Sequence, residues 1–172
     1  MNGFLLLIPL IAIRYGLLWL IAKEALNRAA FFPPMFGNEK IASAFYQLTT
    51  ILIFVYLCFL KINTASVWFY PGAIIYSLGI LFFSASVSNY AKPEKNGINL
   101  KGLYRISRNP MYIAYFIYFL GCVLITNSFI LFLLLIIFQI SAHWIILSEE
   151  RWCLNKFGEE YTNYMKKVRR YI

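Results

Sequence analysis

The residues able to do chemistry sit in two short polar blocks of an otherwise apolar chain. The first, Gly102-Leu103-Tyr104-Arg105-Ile106-Ser107-Arg108-Asn109-Pro110-Met111-Tyr112, runs directly into an apolar stretch. Asn109 is a favoured N-cap and Pro110 a favoured first helical residue, so a helix is expected to start there. A helix start offers unpaired N–H groups and a positive dipole end, and Arg105 and Arg108 add charge beside it. The block therefore reads as an anion site or as a capped membrane helix flanked by topogenic arginines. The second block, Ser148-Glu149-Glu150-Arg151, stands where another apolar stretch ends. Adjacent carboxylates at that depth are costly unless they pair or face a polar cavity. They read as a salt bridge between helix ends or as the acidic half of a zwitterion site, with acids for an amine and basic groups for a carboxylate.

Two further ionisable residues lie inside apolar stretches. His143, about two turns before Glu149, is a candidate catalytic group, with a hydrogen bond to a neighbouring helix as the alternative. Arg14 is expected to snorkel toward the headgroups, with pairing to Glu149 as the alternative. Cys58, Cys122 and Cys153 are far apart and read as packing residues. With one histidine and no aspartate, no catalytic metal site is expected.

The elements that must position these groups are membrane helices. Apolar residues make up 61% of the 172 and charged residues only 13%, against about 25% charged in a soluble domain. Five stretches approach the roughly 20 residues needed for a crossing: 3–22, 44–61, 67–87, 110–126 and 128–148. The first lacks a basic leader or small-residue cleavage site, so it reads as a span and not a signal peptide. Only Asn127 and its neighbours separate the last two, which predicts an antiparallel helical hairpin. The fold class is thus all-α integral membrane, with residues 1–87 as a three-helix part and 88–172 holding the polar loop, hairpin and tail, in one structural domain.

Basic residues set the orientation. Lys23, Arg28 and Lys40, then Lys92, Lys95, Lys101, Arg105 and Arg108, then Arg151, Lys156, Lys166, Lys167, Arg169 and Arg170 all fall on one side, against Lys61 on the other. The positive-inside rule puts the amino terminus outside and the tail and both polar blocks in the cytoplasm. The net charge of +9 then reads as topology and contact with anionic lipids, not as nucleic-acid binding. In the tail, Trp152, Phe157, Tyr161, Tyr164, Met165 and Val168 recur as in an amphipathic interfacial helix, interrupted near Gly158.

Together the blocks resemble a known superfamily. The series Gly102, Tyr104, Arg108, Asn109, Pro110, Tyr112, followed by Glu149-Glu150, Leu154, Phe157-Gly158, Tyr161 and Tyr164, looks like the isoprenylcysteine carboxyl methyltransferase and phospholipid methyltransferase superfamily, over roughly residues 95 to 170. The resemblance implies a membrane methyltransferase with an S-adenosylmethionine site in the hairpin, under the loop before the fourth span. It implies contacts to adenosine from Leu100, Lys101, Gly102, Leu103 and Tyr104, and a grip on the methionine end by Arg108, Asn109, Pro110 and Tyr112. Glu149 or Glu150 would take the ammonium, and the acceptor would be a prenylated or otherwise lipid-like molecule. Two departures bear on that acceptor. Asn109 replaces a common histidine, and Ile145 and Ile146 stand where carboxyl-methylating members carry an arginine. An isoprenylcysteine-type carboxylate is the best match and a phospholipid amine the alternative, followed by a sterol-reductase-like enzyme using NADPH and a non-catalytic scaffold.

Overall fold

The computed structural model describes residues 1–29, 31–94 and 97–172, so Lys95 of the basic loop lies outside the described residues. Apart from isolated bridges, regular structure there is helical: α1 (Gly3–Ile21), α2 (Lys23–Ala29), α3 (Asn38–Phe59), α4 (Phe69–Ala91), α5 (Pro110–Thr126), α6 (Phe129–Phe157) and α7 (Glu159–Lys167). The protein is an integral-membrane, multi-pass helical bundle. Its outward surface carries large apolar side chains such as Leu20, Ile41, Phe59, Leu81 and Ile140, as a surface facing hydrocarbon must.

Four helices, α1, α3, α4 and α6, are long and apolar enough to cross a bilayer, which corrects the expectation of five. The fifth stretch forms α5, only 17 residues, or about 25 Å of helix. Pro110 fixes its start, and Asn127 stops it by taking the left-handed conformation at φ 49°. The hairpin expectation changes too, because α5 packs chiefly along α4 while α6 packs along α3. Small residues allow the first of these pairings: a Cβ on Gly79 would strike the backbone of Tyr118, and one on Gly121 that of Tyr76. The seam is completed by the Tyr118 hydroxyl, which donates to the Leu6 carbonyl of α1.

Several hydroxyls inside the spans are satisfied locally. Thr49 and Thr50 donate back to Phe45 and Tyr46 carbonyls one turn earlier. Helix α1 widens into a π-helical segment over Ala12–Leu17, around Arg14, and ends where Ala22 turns extended.

The two ends of the bundle differ. At one, Gly3 N–H donates to Leu60 O (2.8 Å), Ile62 to Met1 O (2.9 Å) and Asn63 to Ile125 O (3.0 Å). At the other lie α2, the segment from Phe31 to Gly37, the polar loop before α5, the end of α6 and α7. The short α5 also runs between the two ends, from Asn109 beside the tail to Ile125 beside Asn63, so five helices connect the ends and the described termini are at opposite ends. Helix α7 does not spend its apolar face on the membrane surface: Tyr161 and Tyr164 are buried with Ile98 against Leu100 and Phe157. That face holds down the polar loop.

Candidate active site

At this second end the helices enclose a cavity of about 500 Å³. Its wall includes six of the residues singled out in the sequence: Tyr104, Arg108, Asn109, Tyr112, Glu149 and Glu150. The two acids are not equivalent. Successive helical residues point about 100° apart, so one of an adjacent pair can face the cavity while the other faces protein. Glu150 faces protein. Its carboxylate accepts from Arg170 Nε at 3.0 Å and Nη2 at 2.8 Å, and pairs with Arg108 Nη2 at 3.1 Å. Asn109 Nδ2 adds a longer contact at 3.4 Å. The Arg108 and Glu150 side chains are 7% and 5% exposed, so this is a buried pair whose charges must balance. Glu149 is held only from one side, by the Tyr112 hydroxyl at 2.9 Å.

The expected N-cap is absent. Asn109 makes no capping bond to α5; its amide instead donates to the Arg170 carbonyl at 3.1 Å and toward Glu150. Competition from the folded-back tail decides this, since Arg108 N–H also donates to Arg169 O (3.0 Å) and Ser107 Oγ to Arg170 O (3.2 Å). The Arg108 backbone N–H and Nη2 are thus committed to the tail and to Glu150. The carboxylate in turn holds the Arg170 guanidinium above its ordinary range, chiefly through that hydrogen bond.

The remaining residues of the expected cofactor grip do not line the cavity. Leu100 packs with the α7 tyrosines, and Lys101 is on the surface paired with Glu94 at 2.9 Å. Leu103 N–H donates to Asn89 Oδ1 (2.7 Å), and Gly102 sits at φ 58° where a Cβ would collide with that same amide. Pro110 is buried at the helix start. These residues shape the loop. His143 is not on the cavity wall; its Nδ1 lies 2.6 Å from the hydroxyl of Tyr171, which belongs to the non-helical tail and not to a neighbouring helix.

Arg14 corrects its expectation: it does not snorkel but turns inward onto the cavity wall. Nη1 donates to Tyr115 Oη (2.8 Å) and Met111 Sδ (3.3 Å), and Nη2 to the Ala29 carbonyl (2.9 Å). Arg28, read in the sequence as topogenic, also lines the cavity, donating to Tyr90 O at 2.9 Å with its guanidinium 5.0 Å from the Tyr90 ring. Tyr46, Tyr90, Tyr115, Trp152 and Phe157 add aromatic wall. Burial holds the Tyr104, Tyr161 and Tyr164 hydroxyls above the usual phenol range, so they stay protonated donors. Tyr164 uses its proton on the Tyr104 carbonyl at 2.6 Å.

Two buried polar atoms on this wall have no hydrogen-bond partner, Asn99 Oδ1 and Arg108 Nε. Buried groups of this kind are costly unless water or a ligand pairs with them. A donor would suit the first, an acceptor the second, and a cation Glu149.

Fold and cavity together define a multi-pass helical membrane protein with a polar, aromatic-lined site at one end of the bundle. The sequence profile of the phospholipid methyltransferase family matches residues 72–160, a little over half of the chain. The chain belongs to that family. No curated protein and no solved structure matches it.

Proposed function

We propose that the protein is an S-adenosylmethionine-dependent methyltransferase acting on a lipid-like acceptor at the cytoplasmic end of the bundle. The observation that carries this is the unequal pair of acids on one cavity wall: Glu150 spent on two arginines, Glu149 left with one tyrosine hydroxyl. Glu149 takes the cofactor's ammonium. Arg108 Nε and Asn99 Oδ1 supply one donor and one acceptor to the rest of the molecule, and the tyrosines and Trp152 give its base an aromatic surface. When bound, S-adenosylmethionine supplies a methyl group made electrophilic by its sulfonium.

The chain's own contribution is then positional. Rigid walls hold the two reactants within attacking distance, and apolar surroundings keep water out. The acceptor we favour is a phospholipid amine, supported by the family match and by Ile145 and Ile146, buried where a carboxylate-holding arginine would be needed. An isoprenylcysteine-type carboxylate is the second reading, resting on the motif of the polar blocks.

Methyl-label transfer by purified protein tests both. Label is expected in phosphatidylethanolamine; label in a prenylcysteine would favour the second reading. Binding of NADPH in place of S-adenosylhomocysteine would overturn the proposal.

A further inference from the structure

The methyl-transfer reading leaves two partly buried cations without work. Among the described residues neither Arg14 nor Arg28 is in an ion pair, although both line the cavity. Arg14 lies within a membrane span, where an unpaired guanidinium is expensive and marks a ligand site by default. Three of its five N–H groups are used, all on neutral partners. Arg28 follows the same pattern with a backbone carbonyl and a tyrosine face. Because Arg14 is anchored on the carbonyl of Ala29, next in sequence to Arg28, the two charges belong to one corner of the cavity.

The balance of charge says what belongs there. With Glu150 matched by Arg108 and Arg170, the wall offers Glu149 against Arg14 and Arg28, with Lys156 exposed to solvent at the rim. A cofactor with a sulfonium and an ammonium against one carboxylate adds further positive charge. A low-dielectric pocket does not hold such an excess unless an anion joins it. Beside this corner Phe31 and Phe32 line the cavity and remain 48% and 44% exposed, an apolar rim suited to acyl chains. The required anion therefore belongs to an amphiphile.

We propose that Arg14 and Arg28 form an anion subsite that holds the phosphate of the lipid acceptor's headgroup and so aims the rest of the headgroup at the methyl donor. The subsite rests on the reading of the cavity as the methyl-transfer site. It is built by α1 and α2, outside residues 72–160 that match the family.

The test is cofactor-free binding, followed through Trp152 on the cavity wall, of short-chain phosphatidylethanolamine, of the matching uncharged diacylglycerol and of inorganic phosphate. Calorimetry of S-adenosylhomocysteine runs in parallel. Wild type is expected to bind the phospholipid at least about tenfold tighter than the diacylglycerol, the scale of one charge-assisted contact. Arg28→Gln, and Arg14→Gln with Arg28→Gln, should lose that preference while S-adenosylhomocysteine affinity changes less than about twofold. Arg14→Lys with Arg28→Lys, which preserves charge should the glutamine pair fail to fold, should keep part of it. Inorganic phosphate bound as tightly as the lipid would overturn headgroup recognition in favour of a free oxyanion. Equal binding of diacylglycerol, or a loss confined to S-adenosylhomocysteine, overturns the subsite. Wild type that binds the phospholipid but no S-adenosylhomocysteine instead removes the methyl-transfer reading and leaves the subsite standing.

Discussion

The pair Glu149-Glu150 was legible as chemistry in the sequence, but the division of labour within it was not. That division depends on Arg170, which comes 20 residues later and had no signal beyond being one of many basic residues in the tail. Arg14 was legible as an anomaly and misplaced, because snorkelling and inward pairing cost the same in sequence terms and only the position of Tyr115 decides between them. The split role makes a clean prediction. Glu149→Gln should leave thermal stability nearly unchanged and weaken S-adenosylhomocysteine binding about tenfold or more, the loss of a charge-assisted contact of about 1.5–3 kcal/mol. Glu150→Gln should do the reverse first: it strands the buried Arg108 and should cost about 3 kcal/mol or more in stability, read as a lowered melting temperature. Equal behaviour of the two variants would refute the assignment. His143→Gln, off the cavity, should retain cofactor affinity, and a large loss in calorimetry would return it to the site.

At the scale of elements, the apolar runs located the long helices because a crossing leaves a length and composition that composition alone can read. The short α5 was read with its observed bounds, 110–126, set by Pro110 and Asn127, but it was counted as a full crossing although its 17 residues fall short of the roughly 20 a crossing needs. The tail was misread for a different reason. Amphipathicity shows that a face must be buried without saying against what, and α7 buries Tyr161 and Tyr164 on the polar loop, not in lipid. Beyond α7, Arg169 and Arg170 run beside Ser107 and Arg108 and tie the loop, the start of α5 and the end of α6 together. Truncation after Lys167 removes this strap and leaves Glu150 with one arginine in place of two. We expect S-adenosylhomocysteine affinity to fall about tenfold and protease sensitivity of the polar loop to rise. Unchanged affinity and protection would show that α7 alone holds the loop. Gly102→Ala attacks the same loop from within, since a Cβ there meets both an unfavourable φ and Asn89 Oδ1. It should cost at least about 1–3 kcal/mol and weaken cofactor binding in the same assay.

For the whole molecule, the decisive property is that the two ends of the bundle are chemically different. One end is fastened by short backbone contacts among Met1, Leu60, Ile62 and Ile125 and offers little chemistry. The other gathers the cavity, the arginines and most of the basic surface. Under the proposed function, a charged, water-soluble cofactor would reach the cavity from the compartment this second end faces, and a lipid acceptor would come from the leaflet beside it. Orientation is therefore part of the mechanism, and the basic residues argue that the cavity end is cytoplasmic, because short flanking segments rich in Lys and Arg are retained on that side. Lys61 and Lys166, exposed near opposite ends, allow a direct test in a background free of Cys58, Cys122 and Cys153. A membrane-impermeant maleimide applied to intact cells should label Lys61→Cys and spare Lys166→Cys until the membrane is opened. The opposite pattern would put the cavity on the side without intracellular cofactor and overturn the proposed reaction along with the topology. Labelling of both on intact cells would put both ends of the bundle on one side of the membrane and overturn the proposed topology.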